Sequence, residues 1–203
     1  MAMQTIMSAP PAGFADPVQQ SQQAFRALLD AMARPGRIAA GLAVDGHPEG
    51  MAPALAAAIL TLADYETPVW LGAGFDRPEV RDWLRFHTGA PLAARPDTAG
   101  FALLQADRMP GLDAFCLGSD AAPERGATLL VQVPVLSGVS AMVWRGPGID
   151  GEIAMPACGL PESFWRQRAM LSSAFPRGLD LYLCCDGAVA GLPRSTAIAF
   201  REA

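Results

Sequence analysis

The chain contains no lysine; all fifteen of its basic residues are arginines. That absence excludes an internal Schiff base to pyridoxal phosphate and a P-loop lysine on a nucleotide phosphate. Any phosphate recognition falls to arginine forks, backbone N–H groups or helix N-termini. Histidine is nearly absent too, with only His47 and His87, so a His-rich metal site is not expected. The four cysteines, Cys116, Cys158, Cys184 and Cys185, form no CxxC pair. Cys184 and Cys185 are adjacent and so point to opposite faces of a strand, which makes them a poor joint metal clip. HExxH, GxSxG, the Walker A pattern and a helix-opening GxGxxG are all missing. A long apolar run is missing as well: Met51 to Ala63 contains Pro53 and falls short of the roughly 18 to 20 residues that a membrane span needs. The first residues have neither a basic start nor a continuous apolar segment, so no secretory signal is read there and a cytoplasmic location is expected. A net charge of -5 and a pI near 4.9 argue against a nucleic-acid surface.

What is present suits one globular domain. The 203 residues are 51% hydrophobic, enough for a substantial core. Residues 1–15, rich in Ala, Pro and Met without a period, read as a flexible arm, and 16–203 as a single domain. Asp16 and Pro17 open a helix in which Val18, Phe25, Leu28, Leu29 and Met32 recur at near-helical spacing, stopped by Arg34-Pro35-Gly36. Arg37 to Val44 reads as a short strand, and His47 as a solvated turn residue.

The chain is organised around Met51 to Leu92. Ala54 to Ala63 is Ala, Leu and Ile with one Thr, apolar on every side, and predicts a helix buried all round. Asp64-Tyr65-Glu66 ends it, Val69 to Leu71 reads as a strand, and Asp76 and Pro78 cap and open a second helix that ends at Gly89. Arg85 and His87 then lie in its last turn. There they either satisfy carbonyls at the negative end of the helix dipole or gather an anion, with Asp64 near enough to share the site. His87 has the chemistry of a general acid or base, oriented by Asp64 or Glu124. Arg34, Arg37, Arg85 and Arg194 fall at junctions between elements, where clefts form in open α/β sheets.

Further strands are predicted at Phe101 to Gln105 and Gly126 to Val133, with a short helix or loop at Met109 to Leu117. The segment reaching Gly146-Pro147-Gly148 is expected to return antiparallel on the Gly126 strand as a hairpin. Pro161 is placed at the first position of a helix broken at Phe175-Pro176. Leu179 to Cys185, Asp186-Gly187 and Ala188 to Pro193 give a second hairpin, since Asp-Gly favours the primed turns. A last strand runs from Thr196 to Phe200. Together these predict an α/β domain, a mixed β-sheet flanked by helices.

The pattern of motifs resembles the PhnH family of phosphonate metabolism proteins, subunits of the bacterial carbon-phosphorus lyase system. The resemblance rests on Phe25-Arg-Ala-Leu-Leu29 with Met32 and Pro35-Gly36, on Leu60-Thr-Leu-Ala-Asp64 with Thr67-Pro-Val-Trp-Leu71, and on Leu84-Arg-Phe-His-Thr88. It continues through Pro123-Glu-Arg-Gly-Ala-Thr-Leu129, Leu136-Ser-Gly138, Gly146-Pro-Gly-Ile149, Phe175-Pro-Arg-Gly178 and Leu192-Pro-Arg-Ser-Thr196. Ser195 stands where Thr is expected, and the N-terminal arm is longer than the family needs.

The resemblance implies a homodimer similar in fold to pyridoxal-phosphate-dependent transferases but without that cofactor, in agreement with the absent lysine. It implies companion subunits PhnG, PhnI and PhnJ, with ATP and a phosphonate as ligands. It also implies a part in displacing adenine from ATP by methylphosphonate, giving ribose 1-methylphosphonate 5-triphosphate. Two roles follow. In one, His87, Asp64 and Glu124 are catalytic, and Arg85, Thr88 and Arg194 bind substrate or anion. In the other, the chain is a non-catalytic scaffold and these residues hold its fold.

Overall fold

In the computed structural model, which describes residues 9–138, 140, 142–155 and 158–200, the strands sort into two sheets. The larger has six strands, from one edge β1 (Ile38–Ala40), β8 (Ala188–Leu192), β7 (Asp180–Cys185), β4 (Thr128–Gln132), β3 (Phe101–Gln105) and β2 (Val69–Leu71). Strands β2, β3, β4 and β7 are parallel; β8 runs antiparallel to β7 and to β1, so the sheet is mixed as expected. The smaller sheet is antiparallel, β6 (Ile153–Ala154), β5 (Met142–Arg145) and β9 (Ala197–Phe200).

Side-chain alternation along the large sheet divides the core in two. Leu103, Leu130, Tyr182, Cys184 and Val189 face helices α1 (Pro17–Ala33), α2 (Pro53–Leu62) and α3 (Pro78–Thr88). Leu104, Leu129, Val131, Leu181 and Leu183 face the other way, onto Leu112 and Phe115, the small sheet, and α4 (Glu162–Leu171). Helix α2 lies at the centre of its layer, with Ala54 to Ile59 fully buried, as an all-round apolar helix must be.

Four local expectations are corrected. Val18, Phe25 and Leu29 of α1 are exposed, and the inward face is Ala24, Leu28 and Ala31. The reason is close approach: a Cβ on Gly191 of β8 would stand 2.5 Å from the Ala31 carbonyl oxygen, so the facing helix surface must be small. Asp76 does not cap α3. The N-cap is Arg77, without a side-chain bond, and the Asp76 carboxylate instead accepts from Arg81 Nε at 2.6 Å. Pro161 is the N-cap of α4 rather than its first residue. Finally, β5 does not fold back on β4. Strand β4 already has β3 and β7 on its two sides, so β5 finds its partners in β6 and β9.

Expected turns form where local chemistry dictates them. Asp16 Oδ1 accepts from Gln19 N at 3.0 Å, Gly89 ends α3 at φ 68°, and Asp186 adopts φ 46° in the β7–β8 turn. Of the segment 1–15, residues 1–8 lie outside the described residues, and from Pro11 onward the chain is docked. Gly13 N donates to Gly46 O at 2.9 Å, Asp45 N to Gly13 O at 2.8 Å, and Ala15 N to Asp45 Oδ2 at 3.0 Å. No helix among the described residues is long and apolar enough to cross a membrane.

Candidate functional site

The residues expected from sequence form two groups, both on connections that feed the amino ends of the parallel strands. The first joins the end of α3 to the Asp64 turn. Thr88 Oγ1 donates to Leu84 O at 2.8 Å and accepts from Ala90 N at 3.0 Å, closing the helix end. Asp64 Oδ1 accepts from Glu66 N, Thr67 N and Thr67 Oγ1 at 2.9, 3.1 and 3.1 Å, a side-chain-closed turn. Gly89 brings the two together, since a Cβ there would lie 3.7 Å from Tyr65 Cβ.

His87 makes no hydrogen bond to Asp64 among the described residues. Its Nε2 is 2.7 Å from the Pro11 carbonyl oxygen, and because a carbonyl only accepts, Nε2 carries the proton. Trp83 Nε1 donates to the same oxygen at 3.1 Å, and the His87 ring packs 5.2 Å from Trp83 and 4.9 Å from Phe86. Arg85, between them in sequence, is exposed, and its guanidinium has no partner among the described residues.

The second group lies around the first residue of β7. Arg194 donates from Nε and Nη2 to Asp180 Oδ2 at 3.0 and 2.6 Å, and from its backbone N to Oδ1 at 2.7 Å. Its Nη1 donates to the Pro123 carbonyl, which brings in the turn Pro123–Arg125 that carries Glu124. Glu124 itself is exposed and makes no hydrogen bond among the described residues. Among the described residues no hydrogen bond joins the side chains of Asp64, Thr88 and His87 to one another or to Asp180, Arg194 and Pro123.

Sequence reasoning missed Arg168, which is 1% exposed on α4. Its Nη2 donates to Pro193 O at 2.7 Å and Thr196 O at 3.3 Å, and Nη1 to Ser172 Oγ at 3.3 Å, while Nε has no partner. Burial lowers its pKa to about 10 against the opposing pull of Asp180. Its spacing from Phe164 and Trp165 on the buried face of α4 was the available signal.

Open α/β sheets bind ligands beyond the carboxyl ends of their strands. Here that edge is set by two glutamines, Gln105 and Gln132, neighbours in register on β3 and β4. Gln132 Oε1 accepts from Ala52 N at 2.7 Å and its Nε2 donates to Gly50 O at 3.0 Å, which fixes the start of α2. Gln105 packs so tightly on Gly74 that a Cβ at residue 74 would stand 1.8 Å from its Oε1. A cavity of 220 Å³ opens between Gln105, Asp107, Gln132, Pro134 and Gly159. A wider one of 510 Å³ runs from Pro134 to the Asp186-Gly187 turn. Amides and a carboxylate line the first, Ser137, Cys185 and Asp186 supply the polar side chains of the second, and no arginine lines either. Among the described residues, no cluster of three His, Cys, Asp or Glu side chains could hold a metal ion.

Fold and site define a layered α/β domain whose buried and half-buried polar side chains mostly tie chain to chain. Comparison with known proteins places it more closely. Residues 12–199 match the model of the bacterial phosphonate metabolism protein family PhnH, and the chain belongs to that family. It is 40% identical over 186 residues to the alpha-D-ribose 1-methylphosphonate 5-triphosphate synthase subunit PhnH of Rhizobium meliloti (strain 1021), covering 91% of this chain and 93% of that one. It is 32% identical over 207 residues, the whole of both chains, to the putative C-P lyase subunit protein HtxG of Stutzerimonas stutzeri.

Proposed function

We propose that this chain is a subunit of the complex that transfers the ribose triphosphate part of ATP to methylphosphonate, releasing adenine and forming ribose 1-methylphosphonate 5-triphosphate. Within it the chain acts as a non-catalytic scaffold beside PhnG, PhnI and PhnJ. The observation that carries membership is the 40% identity, across nine-tenths of both chains, to a subunit named for that synthase. The assembling role is supported by the occupation of its polar groups. His87 Nε2 is bonded to Pro11, and the Arg194 guanidinium is held by Asp180 and Pro123. The two described cavities at the carboxyl edge have no arginine in their lining to meet a triphosphate. A scaffold similar to the pyridoxal-phosphate-dependent transferases without the cofactor, a homodimer and a cytoplasmic location where ATP is present belong to the same reading.

A second reading is favoured by Arg85, exposed in the last turn of α3 with no partner among the described residues. There Arg85, Thr88 and Arg194 bind ATP or phosphonate, and His87, Asp64 and Glu124 act on it. Reconstitution with the companion subunits separates the two, reading complex formation by size exclusion and product by ³¹P NMR. For the scaffold, Arg85→Ala leaves both within about twofold, and His87→Ala lowers turnover only as far as it lowers assembly. An intact complex that loses about 100-fold or more in turnover, the scale of a lost general acid or base, overturns the scaffold in favour of catalysis.

A further inference from the structure

The large sheet has two edges, and the chain treats them differently. At the β2 edge, Val69 N donates to Pro91 O at 2.9 Å, and Val69 O accepts from Ala93 N at 2.9 Å. The segment around Leu92 thus lies beside β2 as a single parallel bridge and covers its edge at Val69. At the β1 edge no such cover exists among the described residues.

Which groups β1 leaves open follows from the neighbouring hairpin. The two-residue turn Asp186-Gly187 makes Cys185 and Ala188 a hydrogen-bonded pair. Alternation then directs the N–H and C=O of Ala188, Ala190 and Leu192 to β7, and those of Val189 to β1. Val189 is opposite Ala39, so Ala39 takes that pair of bonds. Ile38 and Ala40 therefore point their N–H and C=O outward, and both residues are exposed. The edge is short, three residues, but β1 itself holds no proline and no charge to keep another strand away.

Beside this edge runs a groove of 270 Å³ between α1 and β1, lined by Gln23, Ala24, Ala27, Ala40, Leu42 and Ala43, with Gln20 at its end. Half of its lining residues are alanines, which leaves room for a side chain that this chain does not supply. Ala39 is the β1 residue whose side chain packs on the α1 side. A second copy pairing β1 on β1 would therefore offer only a methyl group and leave the groove unfilled. At the entry end of β1, Arg34 and Arg37 share one carboxylate, Asp30, which leaves one positive charge in excess.

We propose that the outer edge of β1 accepts an added β-strand from a companion protein: an extended segment with a large apolar side chain in the α1–β1 groove and an acidic residue beside Arg34 and Arg37. Backbone bonds from Ile38 and Ala40 give the affinity, and the groove and the arginines give the selection. The inference rests on the chain being a subunit of a complex.

The test is amide hydrogen exchange on the full chain, free and after coexpression with PhnG, PhnI and PhnJ, together with Ala40→Pro. Proline removes the outward N–H while sparing the Ala39 bonds to β8. The expected result is that the amides of Ile38 and Ala40 exchange freely in the isolated chain and slow about tenfold or more on assembly, while Ala39 is protected in both. Ala40→Pro should weaken assembly about tenfold, the scale of one lost backbone bond. Since that variant could simply fold poorly, Ala27→Leu, which fills the groove, is the second probe and should also weaken assembly. A complex in which Ile38 and Ala40 still exchange freely overturns the proposal while leaving the subunit reading intact. So does protection that appears in the isolated chain as concentration rises, which assigns the edge to a second copy. Failure of the chain to join any of the three companions overturns the subunit reading and this inference with it.

Discussion

Asp180 receives three hydrogen bonds from Arg194, one from its backbone and two from the guanidinium fork, and the fork also reaches Pro123. The pair ties the start of β7 to the end of β8 and to the turn before β4, with side chains only 15% and 25% exposed. Removing one member leaves the other half-buried and unpaired. Arg194→Ala is expected to cost about 2 kcal/mol, between the values for exposed and fully buried pairs, and for a chain of this length to lower the melting midpoint by about 4 to 8 °C. A melt within a degree of the parent would show that the clamp carries no stability. Both motif residues, Arg194 and His87, were legible in the sequence as important positions, but their partners were not. Asp180 is fourteen residues from Arg194 and Pro11 is seventy-six from His87, and nothing in spacing or periodicity reports which carbonyl or carboxylate the fold will bring near. Arg168 was missed for a related reason: a charged residue on an apolar helix face is read as an exception until the carbonyls of Pro193 and Thr196 are seen to receive it.

At the scale of elements, local chemistry was a good guide and pairing was not. The buried helix α2, the Asp-Gly hairpin and the αL glycine after α3 each follow from a few adjacent residues. The failed hairpin between β4 and β5 shows the limit, because the partner of a strand is decided by which edges are already taken. Helix α1 teaches the same lesson for packing. Its periodicity marks Phe25 and Leu29 as readily as Leu28, and only contact with β8 selects the smaller face. That contact is tight enough to test. In Gly191→Ala the new methyl would stand 2.5, 2.6 and 2.8 Å from Ala31 O, Ala31 C and Met32 N, all backbone atoms that cannot rotate away. Helix α1 must shift outward, and a loss of about 1 to 3 kcal/mol is expected, the usual range for overpacking. Urea unfolding followed by far-UV circular dichroism reads it directly; an unchanged midpoint would mean that α1 lies on the sheet loosely enough to admit a methyl group.

For the whole molecule, the two cores on either side of the sheet give a common response to alkali. Burial raises the Cys158 thiol from 9.0 to about 11 on one side of the sheet. On the other, burial raises Cys184, fully enclosed, and Tyr182, whose hydroxyl donates to Leu28 O at 3.3 Å. Each group keeps its proton in the fold after the unfolded chain has lost it, so the folded state binds more protons above about pH 9 and stability falls as pH rises. The contribution of Cys158 is complete below its unfolded value of 9.0 and is lost as pH climbs through about 11. Such a rise is equivalent to about 2 to 3 kcal/mol between the two protonation states. Arg168 runs the other way, because burial lowers it from 12.5 to about 10. The unfolded chain then holds the extra proton between those values, and stability gained from this group rises with pH there. The expected melting midpoint is therefore insensitive to these groups from pH 7 to about 9, falls from about 9 to 10, and falls less steeply once Arg168 begins to release its proton. Replacing Cys158 and Cys184 together by alanine should lower the midpoint at about pH 7 by removing buried volume, yet flatten the decline between about pH 9 and 10. If the double variant declines as steeply as the parent, the alkaline response lies outside these two thiols, and Cys185→Ala and Tyr182→Phe become the variants to carry it, since burial raises both groups.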